Sequence, residues 1–403
     1  MPGRVTQRAV ALGAAGLLVM GMAGCTQSKP GGNTSQTNLK IVEQVPIDAN
    51  GKEIKPPDVS VAVNPAGDGK ATCPPLSIAM AGALTGPDAQ LGINIKYGAQ
   101  MAVDKHNAAN PGCQIQLKTF DTEGDPQKAT QIAPQIVDDA SIIGLVGTAF
   151  SGETEATGNT FNQAGLVAAT ASATNVTLSQ KGWRTFFRGL GNDGSQGEAV
   201  ANYLKNTVNA NKVCVVDDST AYGAGLAKVM RDTLGPVAQG NCNISVKKGD
   251  KDFSAAVTQI KTAGPDAVFY AGYYAEAAPL VQQLHDGGVT AKFVSGDGTK
   301  DPEFVKQAGA ASKDAILSCP CSPAPAAFAD EYTKKFNQPP STYSTEGYDL
   351  GTIMVTGIDS GATTRPQLLE YVRAYNGPGV ARQYQWTDNG ELTNTLIWIY
   401  KVQ

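Results

Sequence analysis

Several short stretches of this sequence gather hydroxyls, an acid and tyrosines just after apolar runs. Gly147-Thr148-Ala149-Phe150-Ser151-Gly152 follows an apolar run and opens a helical stretch. The Ser151 hydroxyl would then stand beside helix N-terminal amides, a ready site for a carboxylate. Ala171-Ser172-Ala173-Thr174 follows another apolar run and adds small, neutral donors at little steric cost. Gly296-Asp297-Gly298 closes a third run and sets an acid between two glycines, where Asp297 could pair with an ammonium. Tyr222 and Tyr273 occupy matching positions after two later runs, as core packing or as walls of a cleft. Each stretch also has a plainer reading, the hydroxyls as helix caps and Asp297 as a turn former.

The elements that must position these residues follow from the pattern of the chain. From residue 76 onward, short apolar or β-branched runs alternate with amphipathic segments of helical length, the order of an α/β, doubly wound parallel sheet. Strands are expected at 76–80, 115–120, 142–146, 167–170, 213–216, 244–246, 267–270, 293–295 and 315–318. Between 253 and 262, Phe253, Ala256, Val257 and Ile260 keep helical spacing until Gly264-Pro265 stops it. Ligands of open parallel sheets lie outside the carboxyl ends of the strands, which is where the candidate residues fall.

Residues 91–116 and 222–245 share one layout: a glycine, a helix, a break, then a cysteine and a strand. That duplication predicts two similar lobes. Gly189-Leu190-Gly191-Asn192-Asp193-Gly194 and Cys319-Pro320-Cys321 separate the duplicated runs and are the expected hinge crossovers, with a third near 388–395. The first of these is also a formal GxGxxG, but Arg188 abuts it where the buried strand of a dinucleotide site should be apolar. No GxSxG elbow occurs, and neither His106 nor His285 sits in a loop after a strand, so nothing points to an enzyme.

The 403 residues, 41% hydrophobic and 17% charged, suffice for two lobes with their own cores. The net charge of -4 argues against nucleic acid as a partner. Arg4 and Arg8 precede an apolar run, 9–22, too short and Gly-rich to span a membrane, so residues 1–24 read as a secretory signal. The run ends in Met22-Ala23-Gly24-Cys25, which resembles the lipobox of bacterial lipoproteins with Met where Leu is commonest. Cys25 would carry the lipid and hold the protein on the outer face of the cytoplasmic membrane. Residues 25–73 read as a polar tether, with room for a small hairpin around Asn50-Gly51.

The six remaining cysteines of an exported chain suggest three disulfides. Cys73 and Cys113 each stand just before an expected strand, and Cys214 and Cys242 repeat the arrangement. Neighbouring parallel strands lie about 4.8 Å apart, within disulfide reach, which predicts Cys73 with Cys113 and Cys214 with Cys242. Cys319 and Cys321 are left to pair with each other. A zinc site is the rival reading, and two histidines in the whole chain supply it poorly.

Between about residues 76 and 400 the chain resembles the leucine/isoleucine/valine-binding proteins of branched-chain amino acid ABC transporters, with the type I periplasmic-binding fold. The resemblance is carried by Gly82-Ala83-Leu84-Thr85-Gly86-Pro87 with Gln90-Leu91-Gly92, by 121–127, by Tyr222-Gly223-Ala224-Gly225-Leu226-Ala227, by Gly249-Asp250-Lys251-Asp252-Phe253-Ser254 and by Tyr270-Ala271-Gly272-Tyr273. It implies that Ser151, Ser172, Ala173 and Thr174 hold the α-carboxylate and amino group of an amino acid, that Asp297 takes the ammonium, and that Tyr273 helps to close the cleft. Leu91, Ala149, Phe150, Tyr222, Gly298 and Tyr343 would wall a side-chain pocket suited to aliphatic ligands.

The same resemblance implies one lobe from 74–191 and 322–390 and another from 192–321 and 391–403, joined by three hinge segments. It also implies a monomer that needs no cofactor or metal and delivers its ligand to ABC permease subunits. Leu91 stands where an aromatic residue is usual, Asp297 where glutamate is, and Ser172 where alanine is, so alanine, proline or a longer amine stay open as ligands. Amides, urea and aromatic acids are carried on the same fold, as are ligand-sensing ectodomains.

Overall fold

The computed structural model describes residues 38–56 and 61–403; the expected signal segment and the lipidation site Cys25 lie outside the described residues. Its first element corrects an expectation. Within the stretch read as a tether, β1 (Ile41–Ile47) pairs antiparallel with the last strand of the chain, and a turn through Gly51 brings Glu53 back to Ile47. The β-branched Ile41, Val42, Val45 and Ile47 suit a strand. Their partner sits at the opposite end of the sequence, so no local pattern announces it.

The first lobe follows with β2 (Leu76–Gly82), α1 (Ala89–Ala109), β3 (Ile115–Asp121), α2 (Pro126–Asp138), β4 (Ile142–Gly147), α3 (Ser151–Gln163), β5 (Val167–Thr170) and β6 (Phe186–Arg188). Its five strands are parallel in the order β3-β2-β4-β5-β6. β2 and β4 are buried at every position, which is why they read as unbroken apolar runs. β6 was not among the expected strands, because Arg188 breaks its apolar pattern. That arginine is fully buried all the same.

The second lobe contains α4 (Asp193–Asn206), β7 (Val213–Asp217), α5 (Ala221–Leu234), β8 (Ala238–Ser245), α6 (Ser254–Ala263), β9 (Ala267–Ala271), α7 (Tyr274–Asp286), β10 (Lys292–Ser295), α8 (Pro302–Ala308) and β11 (Ile316–Cys319). The chain then returns to the first lobe with α9 (Ala326–Phe336), α10 (Ser344–Asp359), α11 (Arg365–Ala374) and a ribbon of β12 (Asn376–Pro378) and β13 (Gln383–Gln385). It ends in the second sheet as β14 (Ile397–Val402), giving the order β1-β14-β11-β10-β9-β7-β8. β14 and β1 run antiparallel to their neighbours, so this sheet is not wholly parallel.

The chain passes between sheets in three places: after Arg188, after Cys319 and between Gln385 and Ile397. Cys73–Cys113 and Cys214–Cys242 are disulfides at matching places in the two lobes, and Cys319–Cys321 forms the third at the second crossover.

Close packing of α1 on α10 sets two walls of the cleft. A Cβ at Gly98 would stand 2.2 Å from the Ser344 carbonyl oxygen, and one at Gly347 would stand 2.5 Å from that of Ile95. Glycine at both positions therefore lets the helix backbones meet, which fixes Leu91 in the first turn of α1 relative to Tyr343 at the start of α10.

Candidate ligand-binding site

The first-lobe wall is built from two strand ends. β4 delivers Ala149, Phe150 and Ser151 to the start of α3, and the Phe150 amide donates to the buried Glu153 carboxylate at 3.0 Å. Burial pushes the Glu153 carboxyl up to about 7 against the hydrogen bonds from Thr122 and Phe150. Ser151 Oγ accepts from the Asn175 amide at 3.2 Å, which leaves its own proton to donate. After β5, the Thr170 hydroxyl accepts from the amides of Ser172 and Ala173 at 3.3 and 2.9 Å and shapes the turn. The Ser172 hydroxyl donates to the Ala149 carbonyl at 2.5 Å, so in this arrangement it ties the two loops together.

Behind this wall lies a residue that sequence reasoning set aside. The Arg188 guanidinium donates to the carbonyls of Ala173 and Asn175, the latter at 2.9 Å, and pairs with Glu391 of the third crossover at 2.8 Å. Burial raises the Glu391 carboxyl, but Arg188 outweighs it and leaves the group below the usual range. One buried cation thus fixes the Ser172–Asn175 turn and anchors a hinge segment to it. The residue that argued against a dinucleotide fingerprint holds the candidate site in place.

The second-lobe wall centres on Asp297, just past β10. Its Oδ1 accepts from the Tyr222 hydroxyl at 2.9 Å and its Oδ2 from the Tyr343 hydroxyl at 2.5 Å. The Tyr222 oxygen also accepts from the Gly298 amide at 3.1 Å. A Cβ at Gly296 would meet the Tyr222 oxygen at 2.6 Å, and one at Gly298 would meet the same ring at 2.8 Å. The flanking glycines therefore admit the tyrosine. Tyr343 itself holds a left-handed backbone, φ 72°, a conformation a bulky residue adopts only where its surroundings impose it. Burial raises the Asp297 carboxyl, opposed by the two phenols, while burial and the Asp297 charge keep both tyrosines protonated as donors.

Asp193, the first residue of α4, joins this cluster and was not among the expected ligand residues. It is fully buried; burial, reinforced by the Asp297 charge, pushes its carboxyl up to about 8. The Thr174 hydroxyl faces it without closing a hydrogen bond of good geometry, and neither Thr174 Oγ1 nor either Asp193 oxygen has a partner among the described residues. The Phe150 and Tyr222 rings both lie tilted against Tyr273, with ring centroids 4.6 and 5.2 Å away. All ten expected ligand residues are buried: Leu91, Phe150, Ser151, Ser172, Ala173, Thr174, Tyr222, Tyr273, Asp297 and Tyr343.

The lobes touch across the cleft. Besides Tyr343 with Asp297, Asn94 donates to Asp301 at 3.0 Å and Asn175 to the Ala221 carbonyl at 2.5 Å. Among the described residues one trio, His106, Cys113 and Asp359, brings metal-type donors within 4.8 Å of one another. The Cys113 sulfur is bonded to Cys73, which leaves too few donors for a closed metal site. No helix of the described residues is long and apolar enough to cross a membrane.

The sequence profile of a family described as periplasmic binding protein matches residues 75–403. The Leu/Ile/Val-binding protein homolog 3 of Brucella melitensis is 30% identical over 339 residues, covering 81% of this chain and 91% of that protein. The branched-chain amino acid transporter substrate-binding protein LivJ of Streptococcus pneumoniae, solved with isoleucine, superposes with a TM-score of 0.74 at 29% identity, covering 81% of this chain and 95% of that one. A solute-binding protein of R. palustris solved with benzoate shares the fold at a TM-score of 0.72 and 17% identity, covering 82% and 94%.

Proposed function

Because the chain belongs to the periplasmic binding protein family, whose members bind substrates rather than transform them, we propose that it is the extracytoplasmic substrate-binding component of an ABC importer for an aliphatic or branched-chain amino acid. The observation that carries the choice of ligand is the pairing of two unlike walls. Asp297, Asp193 and the Thr174 hydroxyl gather acceptors for an ammonium, and Ser151 at the start of α3 offers donors for a carboxylate. A ligand without an ammonium would leave Asp297 buried without a cation, which costs several kcal/mol. Leu91, Phe150 and the tyrosine rings supply an apolar surround for the side chain.

In this reading the amino acid docks on the first lobe through Ser151 and Thr174, and hinge motion at the three crossovers brings up Tyr222, Tyr273 and Asp297. Cys25 carries the lipid that keeps the binding protein beside its permease, and the chain acts as a monomer. The test is to strip the exported chain of carried-over ligand by unfolding and refolding, and to titrate it calorimetrically with the amino acids, with amides, urea and aromatic acids as controls. Micromolar or tighter binding of aliphatic amino acids sustains the assignment. Binding of non-amine ligands alone overturns it.

A further inference from the structure

At the mouth of the cleft, beside the ligand residues, a lysine of the second lobe reaches the first. Lys248 stands on the second-lobe loop that follows β8. Its ammonium lies 3.2 Å from the carboxylate of Asp88, the residue just before α1 of the first lobe, and donates to the Gly124 carbonyl of the first lobe at 3.4 Å. It also lies 5.2 Å from the centre of the Phe150 ring and 5.0 Å from that of Tyr273, one ring from each lobe. Asp88 is almost wholly buried, whereas Lys248 keeps 28% of its side chain exposed. The lysine therefore stays wet, while among the described residues the acid it faces has no other cation at ion-pair distance. The residues around it line an inter-lobe groove of about 440 Å³, with Gly124, Pro126, Phe150 and Glu153 on one side and Ser219, Thr220 and Tyr273 on the other.

The charges near Lys248 are unbalanced. Glu153 and Asp88 come from the first lobe and Asp218 and Glu276 from the second; burial raises all four carboxyls, and the lysine charge lowers each. Lys251 also acts on Asp88, but its ammonium donates to the Ala275 carbonyl within its own lobe at 3.4 Å. Without Lys248, acids from opposite lobes would face one another across a closing gap, and both bare aromatic faces would lose their cation.

We propose that Lys248 is the latch of the closed form, a positioning residue that sets how long the lobes stay shut on a bound amino acid by bridging Asp88, the Gly124 carbonyl and the Phe150 and Tyr273 rings. This rests on the proposed capture of an amino acid by lobe closure. Because the latch engages only when the lobes meet, it acts on release far more than on capture.

The experiment uses the whole exported chain with L-isoleucine and L-leucine as probes. Lys248→Met speeds dissociation by roughly tenfold or more with association nearly unchanged, as expected when the loss of one partner leaves a buried acid unpaired. Lys248→Arg restores most of the retention. Asp88→Asn has a smaller effect than Lys248→Met, because it removes an acid from the acidic cluster, and the double variant is no worse than Lys248→Met alone. Lys228→Met, which breaks an exposed pair with Asp232, serves as the control and changes nothing. Dissociation from Lys248→Met within twofold of the parent overturns the latch. If the parent binds neither probe, the amino-acid reading fails and the latch is judged on the ligand-free chain by small-angle scattering. A larger radius of gyration for Lys248→Met than for the parent then supports it, and equal radii overturn it.

Discussion

The first-lobe wall of the cleft presents neutral groups already tied down: the Ser172–Asn175 turn is held by Thr170 and Arg188, and the Phe150–Ser151 corner by Glu153. The second-lobe wall is charged, and its central carboxylate reaches partners on both lobes, Tyr222 on its own and Tyr343 on the other. A prearranged neutral wall can receive a ligand without reorganising, whereas a buried carboxylate is most stable once a cation and both phenols surround it. Under the proposed function, the contrast gives recognition of shape and carboxylate to the first lobe, and the grip that follows closure to the second.

The largest break in that contrast comes from removing charge alone. Asp297→Asn keeps the size of the side chain and one acceptor oxygen, so one tyrosine still donates to it and the other must accept from the new amide. It is expected to weaken amino-acid binding by about 100-fold or more, close to 2.7 kcal/mol, as calorimetry would show. The fold should survive, with a melting temperature near that of the parent. If affinity holds, the ammonium sits elsewhere and the second lobe does not grip through charge. Ser151→Ala tests the other wall. Loss of one neutral donor to a carboxylate should weaken binding roughly tenfold, about 1.4 kcal/mol, because the amides that open α3 remain. An effect as large as that of Asp297→Asn would mean that the first wall, too, works mainly by charge.

The parts of this arrangement that were legible in the sequence are those set by local burial. Residues 142–146 and 267–270 lie in strands buried throughout, so they read as continuous apolar runs, and the polar residues just after them point to the cleft. The disulfide pairings were legible because parallel neighbours bring the cysteines level: Leu76 pairs with Ile115, just past Cys73 and Cys113, and Val215 with Asn243, just past Cys214 and Cys242. What escaped depends on distant partners. β1 is a strand only because β14 returns beside it, and Arg188 is compatible with a buried strand only because Glu391 and two carbonyls meet its guanidinium. Asp193 reads only as part of the hinge stretch 189–194 until folding places it beside Asp297.

Asp193 gives the finest test of the contrast, through pH. An unfolded aspartate titrates near 3.8, and burial pushes Asp193 up to about 8 in the folded chain. Between those values the folded form holds a proton that the unfolded form has released, so this group makes stability fall as pH rises, by at most about 1.4 kcal/mol per pH unit. Glu153 and Glu276, each pushed up to about 7, add slope of the same sign, so the informative quantity is the difference between variant and parent. Asp193→Asn should flatten the decline between pH 5 and 8, as denaturant titrations across that range would show. Saturating L-isoleucine should flatten it in the parent as well, since a nearby ammonium favours the ionised carboxylate, and ligand binding near pH 7 should then release protons that calorimetry in buffers of different ionisation enthalpy can count. The Asp193→Asn variant should release fewer. Equal proton release from parent and variant would show that the ammonium rests against Asp297 alone, and that Asp193 serves the start of α4 and not the ligand.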